Sequence, residues 1–108
     1  MAQAYENLLA SLEASVPHME PHEVSGLTDA LLVDVRRPEE HEKDALPGSI
    51  NVPRDKIEAQ IEERMARPDQ PVVVFCGSRG RSTLAGWTLT EMGLDARVLR
   101  GGTAAWRG

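Results

Sequence analysis

The residues whose types and spacing could do chemistry follow one another in residues 76–82, which we call the cysteine loop. Cys76 is the only cysteine of the chain, and two glycines, two arginines and two serines follow it. A thiolate is a strong nucleophile, and successive backbone N–H groups in a turn that opens a helix form a concavity for anions. Arg79 and Arg81 add positive charges that titration does not remove. Because these surroundings favour the thiolate, we expect a reactive Cys76 rather than an inert cysteine buried at a strand end.

The elements that must position the cysteine loop are a strand before it and a helix after it. The apolar, β-branched run Val72–Phe75 predicts a strand buried on both faces. Beyond the loop, apolar residues recur at helical spacing up to Met92, and Gly93 supplies a C-terminal stop. Since open α/β sheets bind ligands at the carboxyl ends of their strands, the thiol is expected where such folds bind ligands.

Elsewhere, strand and helix patterns alternate along the chain. They predict strands at residues 16–19, 31–35 and 96–99 and helices at residues 4–16 and 55–65. Pro21 and Pro38, each followed by acidic residues, predict two further helix starts. We therefore expect an α/β fold with a small, mostly parallel sheet of about five strands and helices on both faces. The first helix is expected to pack on the domain, a partner-binding helix being the alternative.

Asp34 lies inside the second apolar run, and Arg36 follows the end of that run. An isolated buried carboxylate is costly, so Asp34 needs a partner. Arg36 is a candidate for that partner and also for a wall of the site.

Two further patterns are expected to be structural. Gly101 and Gly102 predict a tight turn beside the cysteine loop rather than a phosphate site, and Trp106 after them is expected in the core or as a lid. His18 and His22 are four residues apart, but Pro21 lies between them and no further ligands are near. We expect ordinary surface histidines there and no metal site.

Length, composition and charge restrict the function classes. With 108 residues, 41% hydrophobic and 27% charged, the chain fits a single globular domain. It has no apolar run of membrane length and no visible signal peptide, and its single cysteine cannot form an internal disulfide. We expect a cytoplasmic protein, where a free thiol stays reduced. A net charge of −5 disfavours nucleic acid as the main partner.

Four motifs together resemble a rhodanese domain, from about residue 16 to the end of the chain. They are Cys76-x-x-x-x-Arg81-Ser82, Leu32-Val-Asp34-Val-Arg36, Leu46-Pro-Gly48-Ser-Ile-Asn-Val-Pro53 and Gly101-Gly102-x-x-x-Trp106. The resemblance implies a rhodanese domain at residues 16–108, preceded by the packed helix in residues 1–15. It also implies a sulfurtransferase that needs no metal or organic cofactor.

The resemblance implies roles for particular residues. Cys76 is the expected nucleophile, which cycles through a persulfide, and Asp34 and Arg36 support the site, Asp34 mostly as a structural anchor. The implied substrate-binding residues are Gly77, Ser78, Arg79, Gly80, Arg81 and Ser82. We expect a small sulfur-containing anion such as thiosulfate as donor, a thiol or dithiol, small or on a protein, as acceptor, and a monomer.

The chain departs from the family pattern at several places. Arg79 stands where the family commonly has glycine, and Gly77 and Ser78 stand where the well-studied thiosulfate enzymes have cations. Arg79 is expected either to contact the substrate or to point to solvent. His41 replaces a frequent aromatic residue, and Asp44 with the alanine after it replaces Gly-His. These last changes are expected to alter packing only.

Three other classes remain as alternatives. Cysteine-dependent phosphatases carry five residues between cysteine and arginine, whereas four separate Cys76 from Arg81. Non-catalytic rhodanese-like modules often lack the cysteine, which is present here. An arsenate reductase needs a second cysteine to resolve its intermediate, and this chain has none.

Overall fold

Five strands form one parallel sheet in the computed structural model, which describes residues 2–107. They are β1 (His18–Met19), β2 (Leu31–Asp34), β3 (Ile50–Asn51), β4 (Val72–Phe75) and β5 (Ala96–Leu99). Their order across the sheet is β1-β5-β4-β2-β3, and every neighbouring pair is parallel. The strand that leads to Cys76 is therefore the central one, and all four of its residues are buried. This confirms the predicted fold class.

Within residues 2–107, six α-helices connect and cover the strands. They are α1 (Ala2–Glu13), α2 (Pro21–Ser25), α3 (Pro38–Asp44), α4 (Ile57–Arg64), α5 (Gly80–Glu91) and α6 (Gly102–Arg107), with a short 3₁₀ helix at Arg54–Lys56 before α4. The predicted starts of α2 and α3 are confirmed, each with proline at its first position. In α3 the Glu40 carboxylate accepts from the backbone N–H of Arg37 at 3.1 Å, which ties down the first turn. The helix after the cysteine loop ends before Gly93, whose φ of 85° only glycine adopts readily.

The core lies in two layers, one on each face of the sheet. Val72 and Val74 of β4 pack in one layer, while Val73 and Phe75 pack in the other. This alternation is the two-residue period of a strand, and it appears here with both faces apolar because helices cover both. Trp106 is partly buried against the second layer, so it belongs to the core rather than to a lid.

The N-terminal helix α1 lies over the start of α5. It spans Ala2–Glu13, which is shorter than the predicted interval 4–16, and Leu9 is its buried residue. A Cβ atom built on Gly80 would lie 2.1 Å from the Tyr5 hydroxyl, so Tyr5 contacts the first turn of α5. The predicted boundary between segments 1–15 and 16–108 stays a prediction, and residues 1 and 108 lie outside the described residues.

Residues 2–107 contain neither a helix able to span a membrane nor a cluster of side chains able to hold a metal ion. None of the helices there combines the length and the apolar character needed to cross a bilayer. The same residues bring together no group of three or more His, Cys, Asp or Glu side chains able to hold a metal ion. His18 instead lies with its Nδ1 atom 2.8 Å from the carbonyl oxygen of Val16.

Candidate active site

Cys76 stands at the carboxyl end of the central strand and is 2% exposed. Its Sγ atom donates to the Ser82 hydroxyl at 3.2 Å, and that hydroxyl donates to the Arg79 carbonyl at 3.1 Å. Gly80 begins α5, so the last three residues of the cysteine loop form the first turn of that helix. The N–H groups of such a turn have no acceptor within the helix. The thiol therefore lies beside a helix N-terminus, which favours negative charge.

The start of α6 holds the cysteine loop from the other side. The Thr103 N–H donates to the Cys76 carbonyl at 2.9 Å, and the Ala104 N–H donates to the Gly77 carbonyl at 3.2 Å. These donors are free because the first N–H groups of α6 also lack intrahelical acceptors. A Cβ atom on Gly102 would lie 2.2 Å from the Cys76 carbonyl oxygen, at a φ of 58°. The predicted tight turn beside the cysteine loop is confirmed, and the close approach of two backbones explains its glycine.

Arg79 is directed towards α1. Its guanidinium donates to Glu13 at 3.0 and 2.5 Å and to Glu6 at 2.5 Å. These hydrogen bonds hold the pKa of Glu13 below its usual value and raise the pKa of Arg79. The structure shows Arg79 paired with two carboxylates of α1 rather than pointing freely to solvent. Any contact with a substrate remains a prediction.

Arg81 forms a bidentate pair with Glu40 of α3. The two guanidinium–carboxylate distances are 2.6 and 3.2 Å. The pKa of Glu40 is lowered to about 2, and the hydrogen bond from Arg81 is the largest cause. The pKa of Arg81 is raised, first by Glu40 and to a smaller extent by the negative charge of Cys76. Arg81 is thus electrostatically coupled to the thiol, although Glu40 compensates much of its charge.

Asp34 anchors a buried polar network beside the site. It is fully buried and accepts from the Arg36 guanidinium at 2.9–3.2 Å, from the Arg36 backbone N–H at 3.0 Å, and lies 3.1 Å from His41 Nδ1. Arg36 also donates to Asp44 at 2.9 Å. Arg36 is therefore the partner of Asp34, as one of the two interpretations predicted. The expectation that His41 and Asp44 alter packing only is wrong, because both side chains make polar contacts in this network.

Two cavities flank the cysteine loop. The first, which we call the Arg79 cavity, has a volume of about 220 Å³. The second, the Arg81 cavity, has a volume of about 440 Å³. The Arg79 cavity is lined by Glu13, His18, Ser78, Arg79, Thr83, Val98, Leu99, Arg100 and Gly101. The Arg81 cavity is lined by Val35, Arg37, Pro53, Arg54, Asp55, Arg81 and Leu84.

The structure adds residues that the sequence did not single out. In the sequence, Glu40 fits the pattern of acidic residues in the first turn of a helix, whereas its pairing with Arg81 spans 41 residues of chain. Arg54 follows a proline in a connecting segment and carried no pattern of its own. Arg54 lies three residues after the end of the short strand β3, near the carboxyl ends of the strands where such sheets bind ligands, and this placement is the signal that could have indicated it.

Comparison with known proteins identifies relatives of this arrangement. Residues 20–108 match the rhodanese-like domain family. The chain is similar to a tRNA sulfurtransferase of Desulfurococcus amylolyticus, with 36% identity over 91% of this chain and 19% of that protein. It is also similar to the crystal structure of a thiosulfate sulfurtransferase from Pseudomonas aeruginosa, with a TM-score of 0.82, 30% identity, and coverage of 88% of this chain and 19% of that one.

A third similarity extends over nearly the whole chain. It is to the structure of a protein of unknown function, a possible tyrosine phosphatase, from Rhodopseudomonas palustris, with a TM-score of 0.82, 29% identity, and coverage of 99% of this chain and 91% of that one. By contrast, the chain spans only 19%, 25% and 20% of the length of three curated relatives that it matches.

Proposed function

The chain belongs to the rhodanese-like domain family, and from that premise we propose that it is a sulfurtransferase carrying a sulfane sulfur on Cys76. The observation that carries the proposal is the position of the thiol, between the central strand β4 and the N-terminus of α5. Family relatives named as sulfurtransferases support the same class of reaction.

In the first step, the Cys76 thiolate attacks the outer sulfur of a donor such as thiosulfate. An S–S bond forms between Sγ and that sulfur, the S–S bond of the donor breaks, and sulfite leaves with the electron pair. The negative charge moves to the outer sulfur of the new persulfide. We expect the N–H groups of the loop and of the helix start, together with the charge of Arg81, to stabilise that negative charge.

In the second step, an acceptor thiolate attacks the outer sulfur of the persulfide. The bond between the two sulfurs on Cys76 breaks, and its electron pair returns to Sγ as the thiolate. Cyanide serves as acceptor in an assay, and a thiol or dithiol serves in a cell. Neither step needs a proton to be transferred to Sγ, so no acid or base is required beside the thiol. Among the described residues, the hydrogen-bond partner of Sγ is the Ser82 hydroxyl, which is consistent with this.

A cysteine-dependent phosphatase is the second candidate, because one structural neighbour is named as a possible tyrosine phosphatase. The spacing argues against it. Four residues separate Cys76 from Arg81, and Arg81 already forms a bidentate pair with a carboxylate. A phosphoryl group needs donors about 2.7–3.1 Å from its developing charge, so a loop one residue too short is a large defect.

The test is intact-mass analysis of the protein after incubation with thiosulfate and, separately, with mercaptopyruvate. We expect a gain of about 32 Da, one sulfur, on Cys76. The Cys76→Ser variant should show no gain while unfolding at nearly the same denaturant concentration, since the change is small and local. An unchanged mass of the folded protein with every sulfane donor would refute the proposal. Hydrolysis of an aryl phosphate that disappears in Cys76→Ser would establish the second candidate.

A further inference from the structure

Arg54 lies at the carboxyl-terminal end of the sheet, where the reactive thiol also lies. Its backbone N–H donates to the Val35 carbonyl at 2.9 Å, and the Val35 N–H donates to the Phe75 carbonyl at 3.0 Å. Phe75 directly precedes Cys76. This backbone ladder places Arg54 across the carboxyl ends of β2 and β4, and its side chain lines the Arg81 cavity.

The charge of Arg54 is not compensated by an ion pair, unlike the charges of the other two arginines that line this cavity. Arg81 pairs with Glu40, and Arg37 lies 3.7 Å from Glu39 and 3.6 Å from Glu40. Within residues 2–107, no carboxylate forms an ion pair with Arg54, a partly buried residue. The adjacent Asp55 is exposed and also lines the cavity, but it forms no ion pair with Arg54. A partly buried cation without a counter-charge attracts an anion from outside.

The Arg79 cavity, on the other side of the cysteine loop, offers no such group. Arg79 is bonded to Glu6 and Glu13. Arg100, the second arginine of that cavity, lies 2.8 Å from Glu20. Among the described residues, the arginine of these two cavities that lacks an ion pair is therefore Arg54, in the Arg81 cavity.

The size and lining of the Arg81 cavity indicate an organic ligand. Its volume of about 440 Å³ lies in the range of about 300–1,000 Å³ that binds organic molecules. An inorganic donor such as thiosulfate fills only a small part of such a volume. Val35, Pro53 and Leu84 supply apolar wall, and Arg54 supplies the cation. The combination suits a molecule with a short apolar stem and a carboxylate.

We propose that Arg54 and the Arg81 cavity bind the carboxylate of the sulfur acceptor, so that the preferred acceptor is an acidic thiol. The inference rests on the proposed sulfur transfer. Arg54 holds the carboxylate while the thiolate sulfur of the acceptor reaches the outer sulfur of the Cys76 persulfide. A bond forms between these two sulfurs, the bond from Sγ to the outer sulfur breaks, and Cys76 leaves as the thiolate. Arg54 is thus a specificity-determining residue and takes no part in bond making.

The experiment compares two acceptors of similar size, thioglycolate with a carboxylate and β-mercaptoethanol without one. Cys76 is first loaded with sulfur, and the decay of the loaded mass is followed with each thiol at equal thiolate concentration. The ratio of the two second-order rates is measured for the native protein, for Arg54→Ala and for Arg54→Lys. Arg64→Ala is the matched control, because Arg64 is an exposed arginine at the end of α4 that does not line the cavity.

We expect the native protein to favour thioglycolate. Arg54→Ala should lower the ratio of the thioglycolate rate to the β-mercaptoethanol rate by about tenfold, because it removes the charge-assisted contact with the carboxylate. Arg54→Lys keeps a positive charge and should retain part of the preference. Arg64→Ala should leave the ratio unchanged. The loading step itself should proceed in all variants. No preference in the native protein, or the same preference in Arg54→Ala, would overturn the inference while leaving sulfur transfer intact.

A second readout keeps the inference testable if no donor loads Cys76, which is failure of the proposed function itself. The Nε–H resonance of Arg54, assigned by its absence in Arg54→Ala, is followed by NMR during titration with each thiol. A shift with thioglycolate and none with β-mercaptoethanol supports an acidic ligand for the cavity. No shift with either thiol overturns it.

Discussion

Gly102→Ala should damage the cysteine loop through the backbone. The new methyl group would lie 2.2 Å from the Cys76 carbonyl oxygen and 2.9 Å from the Gly77 carbonyl carbon, so backbone must move. The left-handed conformation at a φ of 58° adds about 1–2 kcal/mol for any residue with a Cβ atom. Loss of the buried hydrogen bond from Thr103 N–H to the Cys76 carbonyl adds about 1–3 kcal/mol. The free energy of unfolding should therefore fall by about 2–5 kcal/mol.

Gly93→Ala separates the steric contribution from the conformational one. Gly93 has a φ of 85°, also in the left-handed region, but a Cβ atom there meets nothing within 4 Å. This control should therefore lose only about 1–2 kcal/mol.

Urea unfolding followed by tryptophan fluorescence measures both variants, and intact mass measures sulfur loading. Since a displacement of about 1 Å can cost a factor of about 100 in rate, Gly102→Ala should load sulfur roughly 100-fold more slowly, and Gly93→Ala at the native rate. Equal stability losses in the two variants, together with native loading in Gly102→Ala, would refute the argument that α6 holds the cysteine loop by this close approach.

Two further predictions concern the ion pairs around the site. Arg81→Ala should slow sulfur loading by about three- to tenfold, because it removes a partly compensated charge coupled to Cys76. Arg79→Ala should alter the loading rate little, since the charge of Arg79 is paired with carboxylates of α1. Equal loading rates in the two variants would mean that backbone dipoles alone stabilise the thiolate. Glu40→Gln should lower the free energy of unfolding at neutral pH by about 0.2–1 kcal/mol, as for a half-exposed pair. Because the pKa of Glu40 falls from 4.5 to about 2 on folding, the stability difference between the native protein and Glu40→Gln should be full above pH 4.5 and disappear as the pH falls towards 2. Urea titrations across that pH range measure this difference. A stability difference that does not depend on pH would contradict the pairing of Glu40 with Arg81.

Arg79 and Arg81 connect the cysteine loop to two different helices. Arg79 connects the cysteine loop to α1 through Glu6 and Glu13. Arg81 connects it to α3 through Glu40. The cysteine loop is thus held by two flanking helices as well as by α6, and this restricts the positions that the thiol can take.

Local patterns in the sequence determined the framework of the site. The strand Val72–Phe75 was predictable because a short β-branched run needs burial on both faces, and its end was marked by the change to glycine, serine and arginine. The helix after it was predictable from apolar spacing and from Gly93. The Gly101–Gly102 turn was likewise predictable, because adjacent glycines after a strand mark a place where backbone turns or approaches closely.

Only the tertiary structure decided which charges serve the thiol. Arg79 and Arg81 look equivalent in sequence, yet residues two apart at a helix start point in different directions. One meets carboxylates 66 and 73 residues away, and the other meets Glu40 across 41 residues. Arg54 reaches the same end of the sheet through its backbone hydrogen bond to Val35, and no carboxylate among the described residues forms an ion pair with its side chain. Side-chain charges act over a few ångströms, so their partners depend on which distant elements the fold brings together. Local sequence patterns do not show which distant elements these are.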